Sequence, residues 1–331
     1  MVSYQDEAIL ADCLASIRNQ KYDQKLIQII IVDGGSADKT LEIAKKYGAI
    51  TISRPDLKNY QNKRGKIALK QANGDLMLFF SADNRFQEPD ILTKMVTILA
   101  DKKIAGCETL RYAYRRTDPV LSRYFALIGG CDPVGIGLGK ADRGPYDTKR
   151  WHSFGEVKDC GDYYRVKFKP DIAKIPSLGA NGFLIKRELV EKTDFKKTIA
   201  HIDMCVSLIQ QGYDAFAFLK NRHVVHYITT NPIPFLKRRL FLADMYSAEK
   251  TERVYKVFHW KDTGKLIWLI FTNLTLVFPL LRAVKGLFYV PDPAWFLHPV
   301  MCFVFTLGYG WFFYKKWFLV PKQKLKKKIS K

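Results

Sequence analysis

The stretch LIQIIIVDGGSADKTLEIAKKYG, Leu26 to Gly48, reads as one complete structural unit. A run of β-branched residues too apolar to alternate marks a buried strand, Leu26 to Val32. Asp33-Gly34-Gly35-Ser36 supplies a tight turn, and small polar residues then open a helical segment that ends at Gly48. The same alternation repeats on both sides up to about residue 100. AITIS is a second strand, KRGKIALKQANG a short basic helix closed by Gly74, LMLFF (Leu76–Phe80) a third strand, and EPDILTKMVTILAD a helix opened by Pro89. Successive βα units of this kind predict an α/β domain with a mostly parallel sheet.

Two of these strands end in an acid, Asp33 and Asp83. In open parallel sheets, ligands bind beyond the carboxyl ends of the strands, so paired carboxylates there predict a site for something polar or cationic. Residues 110 to 180, rich in Gly, Pro, Tyr and charge, are too long for a simple connection and read as functional or mobile. Order resumes at NGFLIKRELV, followed by a helix, HIDMCVSLIQQGY, and a last strand pair, AFAFLK and HVVHYI.

Past residue 230 the character changes. The segment 231–262 mixes basic, aromatic and apolar residues, as an amphipathic helix on a bilayer surface does, and a packed surface helix fits it as well. Two apolar stretches follow, Leu266–Leu281 and Ala294–Tyr314. The second is long enough to span a bilayer; the first continues past Arg282 to Val290 and fits either a tilted span or a re-entrant segment. An arginine at that depth needs a partner or a route to the surface. The lysine-rich end places the tail on the cytoplasmic side, with the α/β domain.

With 331 residues and 48% apolar content the chain has ample core for a folded protein. Its net charge of +22 suits an anionic membrane face or nucleic acid. The cations concentrate at the membrane end rather than among stacking aromatics of the α/β part, which counts against nucleic acid. The six cysteines are dispersed and form no Cys-x-x-Cys pair, so no zinc ribbon or disulfide framework is expected and a reducing compartment fits. The start carries no basic-then-apolar leader pattern, so the polar part is expected in the cytosol.

The ordered blocks SYQDEAILADCLASIRNQKY, IIIVDGGSADKT and RGKIALKQANGDLMLFFSAD resemble the nucleotide-sugar domain of family 2 glycosyltransferases, which have the GT-A fold. The likeness is strong over about 2–100 and moderate over 175–230. It implies that Tyr4, Glu7 and Asp33 contact the nucleobase end of the donor, that Gly65 and Lys66 match a Gly-Lys block, and that Asp83 holds Mg²⁺ or Mn²⁺ on the diphosphate. Such a cation neutralises the leaving group as charge develops. The first acid of the family's Asp-x-Asp pair is Ser81 here, which removes one charge and is expected to keep a donor contact to ribose or a metal-bound water, and Asn84 beside Asp83 is read as a turn residue ahead of a neutral oxygen ligand. The first strand is nearly absent. The catalytic-base block maps to His201 and Asp203, with Asp203 ahead. Lys237, Arg238 and Arg239 fall where similar enzymes bind the departing diphosphate, or else meet lipid headgroups. Of His223 and His226, which face opposite sides of a strand, His226 is the candidate contact.

The sequence therefore predicts a GT-A domain over 1–230, an interfacial segment over 231–262 and two membrane or re-entrant helices with a basic tail over 263–331. The expected activity is inverting, metal-dependent transfer from a UDP- or GDP-sugar to a lipid-linked or glycan acceptor at the cytoplasmic face of the cell membrane. The rival reading is a non-catalytic scaffold that keeps the fold.

Overall fold

A computed structural model describes residues 1–148, 155–193, 201–228, 231–248, 254, 255 and 258–319. The lysine-rich tail and parts of the expected acceptor wall and interfacial segment lie outside the described residues.

The chain opens with β1 (Val2–Ser3), α1 (Glu7–Arg18), β2 (Ile30–Asp33), α2 (Thr40–Lys46) and β3 (Ile50–Ser53). β1, β2 and β3 form a parallel sheet in that order, so the first strand is present as a two-residue strand beside the end of β2. All four residues of β2 are buried. α1 covers this region with Leu10, Cys13, Leu14 and Ile17, whose spacing places them on one helical face.

Next come α3 (Gln61–Gln71), β4 (Leu76–Phe79), β5 (Asn84–Phe86), α4 (Ile91–Leu99) and β6 (Gly106–Tyr112). The segment expected to be irregular contains α5 (Val120–Ile128), α6 (Pro133–Gly137) and a hairpin of β7 (Glu156–Asp159) and β8 (Tyr163–Lys167). β9 (Phe183–Lys186), α7 (Arg187–Glu191), α8 (His201–Gln210) and β10 (Ala215–His226) complete the α/β part.

The larger sheet corrects the expectation of a mostly parallel one. Its order is β4-β9-β6-β10-β8-β7, with β5 on β10; only β6 and β10 run parallel, and β4 pairs antiparallel with β9. β2 and β4, which read as neighbours in one sheet, belong to different sheets. Local pattern specifies that a segment is extended and buried, whereas its partner is chosen by long-range packing. The expected last strand pair is one strand, β10, with a register shift between Leu219 and His223. That shift turns the strand end and carries His226 against Asn84 of β5.

A buried ion pair ties the loop after α6 to the sheet. Arg143 and Glu108, each 1% exposed, meet at 2.7 Å, and Arg143 also donates to the carbonyls of Ala180 and Asn181. Burial raises the Glu108 carboxyl to about 7, and the Arg143 charge offsets only part of that. Gly129 and Gly130 let this loop in: a Cβ on Gly129 would stand 2.4 Å from the Arg143 carbonyl oxygen, and Gly129 has φ +80°.

The remaining helices are α9 (Pro232–Ala248), α10 (Thr263–Thr275), α11 (Val277–Tyr289) and α12 (Leu297–Tyr314). Among the described residues one helical stretch, Pro293–Trp317, is long and apolar enough to cross a membrane. α10 and α11 together reach that length but bend by 77° at their junction, where Leu276 takes φ 62°. Their outward faces expose Trp268, Phe271, Phe278, Phe288 and, on the α12 side, Trp311. α11, the turn at 293–296 and α12 share a core with the α/β part, in which Tyr124, Phe125 and Ile128 of α5 cluster with Ala283, Trp295, Met301 and Phe305. Arg282 has the partner its position requires: its Nε meets Asp147 Oδ2 at 2.7 Å, so this cation is held by the α/β part.

Candidate active site

The carboxyl ends of β1 and β2 form one wall of the site. Asp33 is fully buried and closes its own turn: Oδ2 accepts from the backbone N–H of Gly35 and Ser36, both at 2.7 Å, and Oδ1 accepts from the Ser36 hydroxyl at 2.5 Å. Below this turn lies the buried Arg64, which donates to the carbonyls of Ser3, Val32 and Lys58. Gly34 is required there, because a Cβ would come within 2.9 Å of the guanidinium. Arg64 precedes Gly65 and Lys66 in α3, so that block delivers a buried cation beneath the turn. Tyr4 sits nearby with Lys58 Nζ 4.5 Å above its ring, and Glu7, exposed, accepts from the backbone N–H of Lys39 just before α2.

Ser3 pairs with Asp33 in register and donates its hydroxyl to Asp6 Oδ2 at 2.7 Å. Burial chiefly raises the Asp6 carboxyl, the Ser3 hydrogen bond opposes the rise, and the charge of Asp83 adds to it.

Asp83 is partly exposed and closely held. Asn84 Nδ2 donates to its Oδ1 at 3.2 Å, and His226 Nε2 lies 3.3 Å from its Oδ2. Asn84 itself is buried, and its Oδ1 accepts from the Ser81 N–H, so it is the turn residue expected. Ser81 is exposed, with its carbonyl accepting from the Cys13 thiol. Burial would raise the Asp83 carboxyl, but the His226 charge and hydrogen bond, with Arg238 behind them, hold it below the usual range. Burial would likewise lower the His226 imidazolium, yet Cys131 and Asp83 outweigh it and lift it well above its ordinary value.

Arg238, exposed on α9, acts electrostatically on both Asp6 and Asp83. Arg239 is instead paired with Asp132 at 3.3 Å, and Lys237 is exposed. His223 is held by Glu88, its Nδ1 2.8 Å from Oε1.

The two expected bases differ in setting. Asp203 is 4% exposed, and its carboxylate accepts from the Tyr255 backbone N–H at 2.6 Å. His201 packs its ring 4.6 Å from that of Phe79, at the end of β4, and burial lowers its imidazolium to about 4, so it is neutral at pH 7. The sequence reading missed Cys131, whose Sγ lies 3.4 Å from His226 Nδ1, and its neighbour Asp132. Their only signal was the Gly-Gly-Cys-Asp-Pro turn within the irregular segment.

A cavity of about 310 Å³ lies elsewhere, lined by Arg85, Gln87, Glu88 and Arg115 among others, and none of Asp33, Asp83 or His226 borders it.

Asp83 Oδ2 and His226 Nε2 stand as an ion pair, and as one hard oxygen and one imidazole they would suit a divalent cation once the imidazole gives up the proton it shares with Asp83. Among the described residues no group of three or more His, Cys, Asp or Glu could hold a metal ion.

The family model described as Glycosyl transferase family 2 matches residues 1–132. An N-acetylglucosaminyltransferase from Bradyrhizobium elkanii is 32% identical over 124 residues, which cover 36% of this chain and 67% of that protein. The chain belongs to glycosyl transferase family 2. A second family relative, from Methanococcus voltae, is named dolichyl N-acetyl-alpha-D-glucosaminyl phosphate 3-beta-D-2,3-diacetamido-2,3-dideoxy-beta-D-glucuronosyltransferase. It is 31% identical over 96 residues, 27% of this chain and 29% of that protein. The Bradyrhizobium protein apart, the chain spans well under two thirds of the length of the curated relatives it resembles. Among solved structures, the mannosyltransferase PcManGT from Pyrobaculum calidifontis, in complex with GDP-Man and Mn²⁺, matches 96% of this chain and 86% of its own at a TM-score of 0.53 and 14% identity. That likeness is one of fold, and the family 2 chain has a GT-A-like α/β architecture with a mixed sheet.

Proposed function

We propose that this family 2 chain is a membrane-attached, inverting glycosyltransferase that moves a sugar from a UDP- or GDP-linked donor to a lipid-linked or glycan acceptor. The observation that carries the proposal is the meeting of Asp83 and His226 at 3.3 Å, with the charge of Arg238 acting on Asp83. In this reading Asp83 and His226 hold the divalent cation, and Arg238 takes the diphosphate from the other side. The cation, when bound, supplies positive charge to the departing diphosphate. Asn84 keeps the Asp83 carboxylate turned into the cleft. Tyr4 and the Asp33 turn form the floor under the nucleobase. His201 is the proposed base for the acceptor hydroxyl. What favours it over Asp203 is that His201 matches the position the family's catalytic acid usually holds, whereas the Asp203 carboxylate already accepts the Tyr255 backbone hydrogen bond.

The exposed aromatic faces of α10, α11 and α12 support attachment to a membrane, and attachment supports a lipid-linked acceptor. The name of the Methanococcus relative points the same way. The proposed sidedness, with the α/β part and tail at the cytoplasmic face, follows from the basic tail.

The test is thermal unfolding of the full chain with UDP-, GDP- and dTDP-sugars, with and without Mn²⁺. A true donor at about a hundred times its dissociation constant should stabilise by roughly 2.7 kcal/mol, and should do so fully only with the metal. No shift with any of the sugars would count against a donor site. One observation favours the rival reading of a non-catalytic scaffold: Ser81 leaves the Asp-x-Asp block with one acid, and Asp33 is already fully engaged.

A further inference from the structure

Asp132 stands where three helices meet. Its Oδ1 caps α6, accepting from the backbone N–H of Val134 at 3.0 Å and Gly135 at 2.9 Å. Its Oδ2 accepts from the Tyr309 hydroxyl of α12 at 2.5 Å and from the Arg239 guanidinium of α9 at 3.3 Å. Capping α6 needs only the first oxygen, so the second is committed to joining α9 and α12 to this turn. The preceding residue, Cys131, puts its Sγ 3.4 Å from His226 Nδ1, and the opposite ring nitrogen of His226 lies 3.3 Å from Asp83. Two sets of polar contacts, joined by the Cys131–Asp132 peptide, thus run from Tyr309 and Arg239 to Asp83.

The plane of an imidazole that faces a metal is fixed by what its second nitrogen meets. For His226 that partner is Cys131, whose backbone position is set in turn by Asp132.

We propose that Cys131 and Asp132 are positioning residues of the donor site: Asp132, clasped by Tyr309 and Arg239, seats Cys131, and Cys131 orients His226 toward Asp83 and the cation held there. The inference rests on reading the cleft as a metal and nucleotide-sugar site. It implies that the seating of α9 and α12 sets how well the cleft binds metal, although neither Tyr309 nor Arg239 touches Asp83.

The test is Mn²⁺ binding to the full chain in lipid nanodiscs in the presence of UDP or GDP, followed by loss of the electron paramagnetic resonance signal of free Mn²⁺. Asp132→Asn can keep the α6 cap through its amide oxygen while losing the charge that holds Arg239. It should weaken Mn²⁺ binding about tenfold, as should Cys131→Ala. Tyr309→Phe removes one hydroxyl on α12 and should weaken it about threefold, and the Asp132→Asn/Tyr309→Phe double variant should bind no worse than Asp132→Asn alone. If Asp132→Asn does not fold, Tyr309→Phe and Cys131→Ala decide. Wild-type binding with all folded variants within twofold of it overturns this proposal alone, even if their melting temperatures fall. A wild-type chain that binds no Mn²⁺ with either nucleotide overturns the donor-site reading and this proposal with it.

Discussion

Asp83→Ala should reduce sugar transfer by at least about a thousandfold, the loss expected when the group that stabilises developing charge is removed from a preorganised site. Asp83 is the carboxylate in contact with His226, and Ser81 leaves no second acid in its own block to substitute for it. Folding should survive. The carboxylate lies in a partly exposed turn, and its loss leaves Asn84 Nδ2 and His226 Nε2 without one partner each, at a cost of roughly 1–3 kcal/mol per buried group. The measurement is the initial rate with the nucleotide sugar identified by thermal shift, at matched folded fraction. A rate within threefold of wild type would remove Asp83 from the metal-holding role.

His201→Gln carries the second large effect, on rate and on acid stability. As the proposed base, His201 should contribute about 10²–10⁴ to the rate, so the variant should lose that factor in kcat while still binding donor and metal. Donor binding that falls together with kcat would instead make His201 a packing residue. The stability effect has a definite sign. Burial lowers the imidazolium from 6.5 to about 4, so the folded chain binds fewer protons at this residue than the unfolded chain between those values. Its contribution is fully present above pH 6.5 and is lost as the pH falls toward 4, with a limit of roughly 3 kcal/mol. His201→Gln should flatten that part of the stability curve, and denaturant midpoints of the two proteins measured from pH 7 to pH 4 will show it. Parallel curves would mean that His201 is protonated with similar ease in both states.

The parts of this site that were legible in the sequence are those written in local pattern. The apolar run into Asp83 and the Asp33-Gly-Gly-Ser turn state their positions at strand ends through neighbours alone, and the structure has both there. The partner of each strand was not legible: Leu76–Phe79 reads the same whether it joins β2 in a parallel sheet or, as it does, lies antiparallel to Phe183–Lys186. Matching blocks also gives an order of residues without their burial. The block match sets Asp203 ahead of His201 without showing their surroundings, and packing distinguishes a carboxylate that accepts from the Tyr255 N–H from an imidazole beside Phe79. Cys131 and Asp132 escaped because their meaning depends on Arg239, Tyr309 and His226, each distant in sequence. The partner of Arg282 escaped for the same reason: Asp147 lies in the α/β part.

The core shared by α5, α11 and α12 limits how this protein can be trimmed. Tyr124, Phe125 and Ile128 rest on Trp295, Met301 and Phe305, so cutting the chain after residue 230 would strip one side of α5 and hand its aromatic face to solvent, at roughly 2 kcal/mol for each large side chain uncovered. The C-terminal helices are thus a structural wall of the catalytic unit, and a soluble fragment prepared for crystallisation or assay would need that wall replaced, not merely removed.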